Sequence, residues 1–171
     1  LVEKMGGSIA FTSQEGVGSQ FVIRIPFKID EEHKNERVKE SASASIEGLS
    51  VLLAEDNELN MEIARFIIEN EGARVTCATN GKEAVDIYKN APESFDIILM
   101  DIMMPEMDGY EATRMIREMD LNIPIVAMTA NAFMEDKIKA KKAGMNAHVS
   151  KPLDRNILIQ VIAKLCGYKN V

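Results

Sequence analysis

The stretch FDIILMDIMMPEMDG, Phe95 to Gly109, places four consecutive apolar residues (Ile97, Ile98, Leu99 and Met100) directly before a carboxylate, Asp101. A short apolar run bounded by polar residues reads as a strand buried on both faces. A carboxylate ending such a strand is costly unless it has partners or does chemistry. Alone, Asp101 is ambiguous, because an acid after an apolar run is usually a helix cap or turn residue. Its meaning depends on what the rest of the chain sets beside it.

Working outward, the centre of the chain repeats one unit. SVLLA (50–54), RVTCA (74–78), DIILM (96–100), IPIVAMT from about Ile125, and AHVS (147–150) read as strands. Each is followed by a stretch with helical spacing. The first, 57–71, carries Asn60, Ile63, Ala64, Ile67 and Ile68 on one inward arc and stops at Gly72. The second, 80–91, turns Ala84, Ile87 and Tyr88 inward; the third, 109–120, turns Ala112, Met115, Ile116 and Met119 inward. MEDKIKAKKAG is a weakly apolar fourth helix whose lysines form a solvated side, and 154–165 is a fifth with Asp154 as N-cap. Apolar strands alternating with helices imply an α/β fold, a parallel sheet covered on both faces. Right-handed crossovers make it doubly wound. Ligands in such sheets bind beyond the carboxyl ends of the strands.

Those ends hold Glu55-Asp56-Asn57, Asp101, Thr129 and Ser150-Lys151-Pro152, so three acids, a hydroxyl and a lysine share one rim. Crowded carboxylates repel one another unless a cation joins them, and hard oxygen ligands suit Mg²⁺ (or Mn²⁺). Lys151 pairs with Asp101 in the empty site and with a phosphoryl oxygen in the full one; the Thr129 hydroxyl bonds another oxygen. The set reads as a phosphoryl-transfer site with Asp101 as nucleophile.

The segments LLAEDNELN, ILMDIMMPEMDGYEATRMIR, IPIVAMTANA and GMNAHVSKPLD, within about residues 50–166, resemble the receiver domains of two-component response regulators. The resemblance implies a flavodoxin-like fold with strand order 2-1-3-4-5. It implies Asp101 as phosphoacceptor, Glu55 and Asp56 as the acidic metal pocket, and the backbone carbonyl of Met103 as a further metal ligand. Thr129 becomes the switch hydroxyl, Lys151 the phosphate-pairing lysine, and Lys151-Pro152 a cis peptide. The partner switch position, often aromatic in the family, is His148 here. Leu59 and Phe66 lie seven residues apart and away from the inward arc, so they are aimed near solvent beside the rim. With Pro152 they form the docking face expected for a histidine-containing phosphotransfer domain, or for the dimerisation domain of the chain's own kinase.

The first fifty residues differ. LVEKMGGSIAFTSQEGVGSQFVIRIPF reads as a helix end, a Gly-Gly break and a β-hairpin with strands near 8–13 and 20–26. It resembles the last portion of the ATP-binding domain of sensor histidine kinases, without the residues that hold ATP in that family, so no ATP is expected on this chain. The expected domains are a remnant of that ATPase domain at 1–29, a charged, Ser/Ala-rich linker at 30–48 containing His33, and a receiver at 49–171. One apolar hairpin face, Ile9, Phe11, Phe21 and Ile23, lacks partners and points to self-association.

With 46% hydrophobic and 27% charged residues, the chain can bury a core. Its net charge of −7 argues against a nucleic-acid footprint. Neither a membrane span nor a signal peptide is read, so no direct membrane contact is expected. Two cysteines without metal-ligand spacing fit a reducing, cytoplasmic location, with a membrane anchor in the parent protein left open. The chain lacks an initiator Met and is read as cut from a larger hybrid sensor kinase. The function read is Mg²⁺-dependent transfer of a phosphoryl group from phosphohistidine to Asp101 and on to a phosphotransfer protein. The alternatives are a regulatory module that docks on and controls its own kinase core, and a stand-alone response regulator. An aspartate-nucleophile phosphatase is disfavoured by Met103, where a second acid would be needed. A transcription factor is disfavoured because no DNA-binding segment follows the fifth helix.

Overall fold

The structure, a computed structural model, describes residues 2–3, 6–14, 16, 18–26, 45–130 and 134–167, with only the backbone of 134 and 135. It forms two units, Leu1–Ser41 and Ala42–Val171. Residues 30–44 of the expected linker, His33 among them, lie outside the described residues.

The first unit is an antiparallel hairpin of β1 (Ser8–Gln14) and β2 (Gly18–Arg24). Its register pairs Ile9 with Ile23 and Phe11 with Phe21, which puts all four on one face. The two phenyl rings stack at 5.9 Å, and all four side chains are exposed.

The second unit carries β3 (Ser50–Ala54), α1 (Glu58–Glu69), β4 (Arg74–Ala78), α2 (Gly81–Asn90) and β5 (Ile97–Asp101). It continues through α3 (Gly109–Met119), β6 (Ile125–Thr129), α4 (Met134–Ala143), β7 (Ala147–Ser150) and α5 (Arg155–Leu165). The five strands are parallel in the order β4-β3-β5-β6-β7, which is 2-1-3-4-5 counted within the sheet. Alternate residues feed two cores. Leu53, Leu99 and Met128 pack with α1 and α5, while Leu52, Met100 and Ala127 pack with α2, α3 and Ala140 of α4. Burial on both faces is why these strands read as continuous apolar runs.

Side-chain caps set where the helices begin. Asn57, Asn80, Asp108 and Asp154 each accept a backbone N–H three residues on, at 2.7–3.0 Å. Ile46 is fully buried and its carbonyl accepts Leu49 N–H, so the core of this unit reaches back into residues read from the sequence as linker.

Two helix faces differ from the sequence reading. On α1 the buried residues are Met61, Ala64 and Ile68, while Ile63 is exposed and Ile67 half-buried. The inward arc is rotated because flexible Met61 reaches the sheet. On α3, Thr113 is buried in place of Met115 and Met119, and its hydroxyl donates to Gly109 O at 2.7 Å. That bond back into its own helix removes the cost of burying the hydroxyl.

Candidate functional site

The carboxyl ends of β3, β5, β6 and β7 lie side by side. Ala54 pairs with Met100, Asp101 with Met128, and Thr129 with Ser150. Asp101 is therefore the last residue of the central strand, flanked by Glu55 on one side and by Thr129 and Lys151 on the other. Glu55, Asp101 and Thr129 are buried, and Asp56 is exposed.

Lys151 bridges the two buried acids. Its ammonium lies 2.8 Å from Asp101 Oδ2 and 2.5 Å from Glu55 Oε2. The sequence pointed to the first contact and missed the second. It also missed Asn60, read as a core position, whose amide donates to Glu55 Oε1 at 3.0 Å. Glu55 is thus held by a lysine on one oxygen and an amide on the other. The available signal was an Asn in the first turn of the helix that follows the acid pair.

Burial pushes the Asp101 carboxyl above its ordinary range; the Lys151 ammonium pulls it back, and Glu55 pushes it up again. Burial alone would lower Lys151, yet hydrogen bonds to Asp101 and Glu55 outweigh it and keep the ammonium charged. Asp101 Oδ1 also faces Met103 N–H at 3.4 Å, a long contact. Met103 is 77% exposed.

Lys151 is placed by its own backbone, whose N–H donates to Thr129 O at 2.7 Å, and by the cis peptide to Pro152. Gly109 matters for a different reason: a Cβ there would lie 2.0 Å from Asp101 O. Only glycine lets the start of α3 sit against the end of β5, where Gly109 N–H donates to Ile102 O at 3.0 Å.

His148 lies on β7 and is exposed; partial desolvation and nearby Lys137 hold its imidazole below the ordinary value. On α1, Leu59 and Phe66 are 68% and 67% exposed and Ile63 is 45% exposed, a stripe at i, i+4 and i+7. Pro152 is exposed as well.

One oxygen from each of Glu55, Asp56 and Asp101 falls within 4.8 Å of the others. The donors are all hard oxygens, and exposed Asp56 leaves water access, so the cluster is able to hold a divalent cation. Lys151 already supplies positive charge to two of the three acids.

The response regulator receiver domain profile matches residues 51–163. The chain belongs to the response regulator receiver domain family. It is similar to the aerobic respiration control sensor protein ArcB of Escherichia coli, at 37% identity over 96% of this chain and 21% of ArcB. It also resembles the receiver domain of a Pseudomonas aeruginosa sensor histidine kinase with magnesium coordinated in its active-site cleft. There the identity is 37% and the TM-score 0.65, covering 70% of this chain and 98% of that one. A third likeness is to a Saccharomyces cerevisiae co-crystal structure of the phosphotransfer protein Ypd1 with the receiver domain of Ssk1. There the identity is 28% and the TM-score 0.67, covering 73% of this chain and 93% of the matched one. This receiver domain spans only 13–14% of the plant histidine kinases it also matches. It is a phosphoacceptor module of the phosphorelay type found in hybrid histidine kinases. Among its described residues no helix is long and apolar enough to cross a membrane.

Proposed function

We propose that Asp101 accepts a phosphoryl group from a phosphohistidine and passes it to a histidine phosphotransfer protein. The observation that carries this reading is the position of Asp101: a buried carboxylate on the central strand, ion-paired to Lys151 and clustered with Glu55 and Asp56.

In the forward step a carboxylate oxygen of Asp101 forms a bond to phosphorus. The P–N bond of the donor breaks, and the departing imidazole keeps its electron pair. Lys151 turns from Asp101 to a phosphoryl oxygen, and the Thr129 hydroxyl donates to another, so both stabilise charge that develops at phosphorus. Glu55, Asp56 and Asp101 would hold Mg²⁺ with the Met103 carbonyl, and the ion supplies charge neutralisation between the acids and the phosphoryl oxygens. Asn60 keeps the Glu55 carboxylate aimed at the site when Lys151 leaves it. Apolar Met103 cannot orient a hydrolytic water, which suits a reversible relay. His148 and Thr129 are the switch pair of this reading.

The exposed stripe Leu59–Ile63–Phe66, with Pro152, is the surface for a phosphotransfer helix bundle. Residues 1–29 are read as the end of a kinase ATP-binding domain, which makes the parent a hybrid sensor kinase.

Labelling with acetyl phosphate and Mg²⁺ tests the acceptor. Asp101→Asn should abolish it, because a carboxamide is not a nucleophile; undiminished labelling would refute the assignment. Phe66→Ala should slow exchange with a phosphotransfer domain while acetyl phosphate labelling stays intact. Equal loss of both would show that the change acts on the fold or the acceptor site and would refute the docking role.

A further inference from the structure

Glu55 is fixed at both ends. Its backbone N–H donates to Ala78 O at 3.0 Å. Its side chain is only 2% exposed, and each carboxylate oxygen has a different partner. Oε2 takes the Lys151 ammonium at 2.5 Å, and Oε1 takes the Asn60 amide at 3.0 Å. Asn60 is itself placed by the helix start, because its backbone N–H donates to the α1 cap, Asn57 Oδ1, at 3.0 Å.

The two partners of Glu55 differ in what can displace them. Lys151 is shared with Asp101 Oδ2 at 2.8 Å, so a cation that enters among the acids repels it from both. Asn60 is neutral, and its amide has no charge for that cation to repel. Once Lys151 leaves, the Glu55 side chain would regain rotamer freedom, and the amide on Oε1 withholds it. Carboxylates that ligate metal ions are commonly oriented by such hydrogen bonds, which tune affinity without touching the ion.

We propose that Asn60 is a positioning residue of the acid pocket: by holding Oε1 it leaves Oε2 as the one Glu55 oxygen that passes between Lys151 and a divalent cation, and so it sets the affinity for that cation. The inference deepens the phosphoacceptor reading and rests on it, since the ion is the one that Glu55, Asp56 and Asp101 would hold.

Calorimetric titration of the full chain with Mg²⁺ tests it. Asn60→Ala should weaken binding about tenfold. Asn60→Leu, which is close in volume and lacks the donor, should do the same, so that a packing defect is not the cause. Lys151→Met removes the competitor for Oε2 and should tighten binding. Acetyl phosphate labelling of Asp101 separates positioning from general damage. Asn60→Ala should lag the parent chain at limiting Mg²⁺ and match it at saturating Mg²⁺, whereas a distorted site would be slow at both. No Mg²⁺ binding by the parent chain would defeat the phosphoacceptor reading itself. Binding by the parent with equal affinity in both Asn60 variants, slow labelling of Asn60→Ala at saturating Mg²⁺, or no tightening in Lys151→Met would overturn this inference and leave that reading standing.

Discussion

Replacing Lys151 by Met removes the ammonium and keeps most of the side-chain volume. Glu55 and Asp101 would then face each other as buried carboxylates, with side chains only 2% and 6% exposed. The site can escape that repulsion by binding a proton, most readily at Asp101, which burial already pushes upward. From an ordinary value of 3.8, holding that proton at pH 7 costs folding about 4 kcal/mol. Breaking a buried ion pair costs about 3–5 kcal/mol, the same scale. For a unit of this size the melting temperature should fall by about 10–20 °C at pH 7 without divalent ion.

The sign of the pH dependence follows from linkage. Asp101 has a folded pKa above its unfolded one, so the penalty is absent below pH 3.8. It grows by about 1.4 kcal/mol per pH unit above that value, until the folded pKa is reached. Melting curves from pH 4 to pH 8, with and without Mg²⁺, read both effects. The ion replaces the missing positive charge, so it should stabilise Lys151→Met more than the parent chain. A variant that melts with the parent at pH 7, or gains no more from Mg²⁺, would show that the Lys151 bridge does not hold the acids together.

Gly109→Ala should destabilise the protein by about 1–3 kcal/mol or more and slow acetyl phosphate labelling, because the new Cβ meets the backbone of Asp101; chemical denaturation and labelling kinetics report the two. Tyr88→Phe removes the 2.6 Å hydrogen bond from the phenol to Asp120 Oδ2 and should cost about 1–2 kcal/mol at pH 7. Tyr88, then Asn122 N–H, hold Asp120 below its ordinary 3.8, so that stability is present above 3.8 and lost as pH falls through the lowered value. The gap between Tyr88→Phe and the parent should therefore close in acid; a gap constant with pH would refute the linkage. Truncation to residues 45–171 should remove any association driven by Ile9, Phe11, Phe21 and Ile23, and light scattering giving both chains the same monomeric mass at high concentration would rule such association out.

How far the site could be read from the sequence depended on the range of each contact. Asp101, Thr129 and Lys151 were legible because each directly follows or ends an apolar run, and parallel strands bring such ends to one rim. Asn60 was not. Its helical spacing placed it with the inward residues, whereas its amide reaches back to Glu55. The second contact of Lys151 was equally hidden, because a lysine that follows one strand carries no record of which of two acids, on two other strands, it will meet.

Strand identity, helix order and the doubly wound sheet were determined by the sequence itself, since a strand buried on both faces must be apolar along its whole length. The rotation of each helix about its axis was left to the tertiary structure. Ile63, Met115 and Met119 satisfy the helical period as well as Met61 and Thr113 do, yet Met61 and Thr113 are the buried ones. A period defines a set of equivalent faces, and only contact with the sheet selects among them. In α1 that selection turned Ile63 outward to join Leu59 and Phe66, which the sequence had already aimed near solvent, and packing against β3 and β4 decided it.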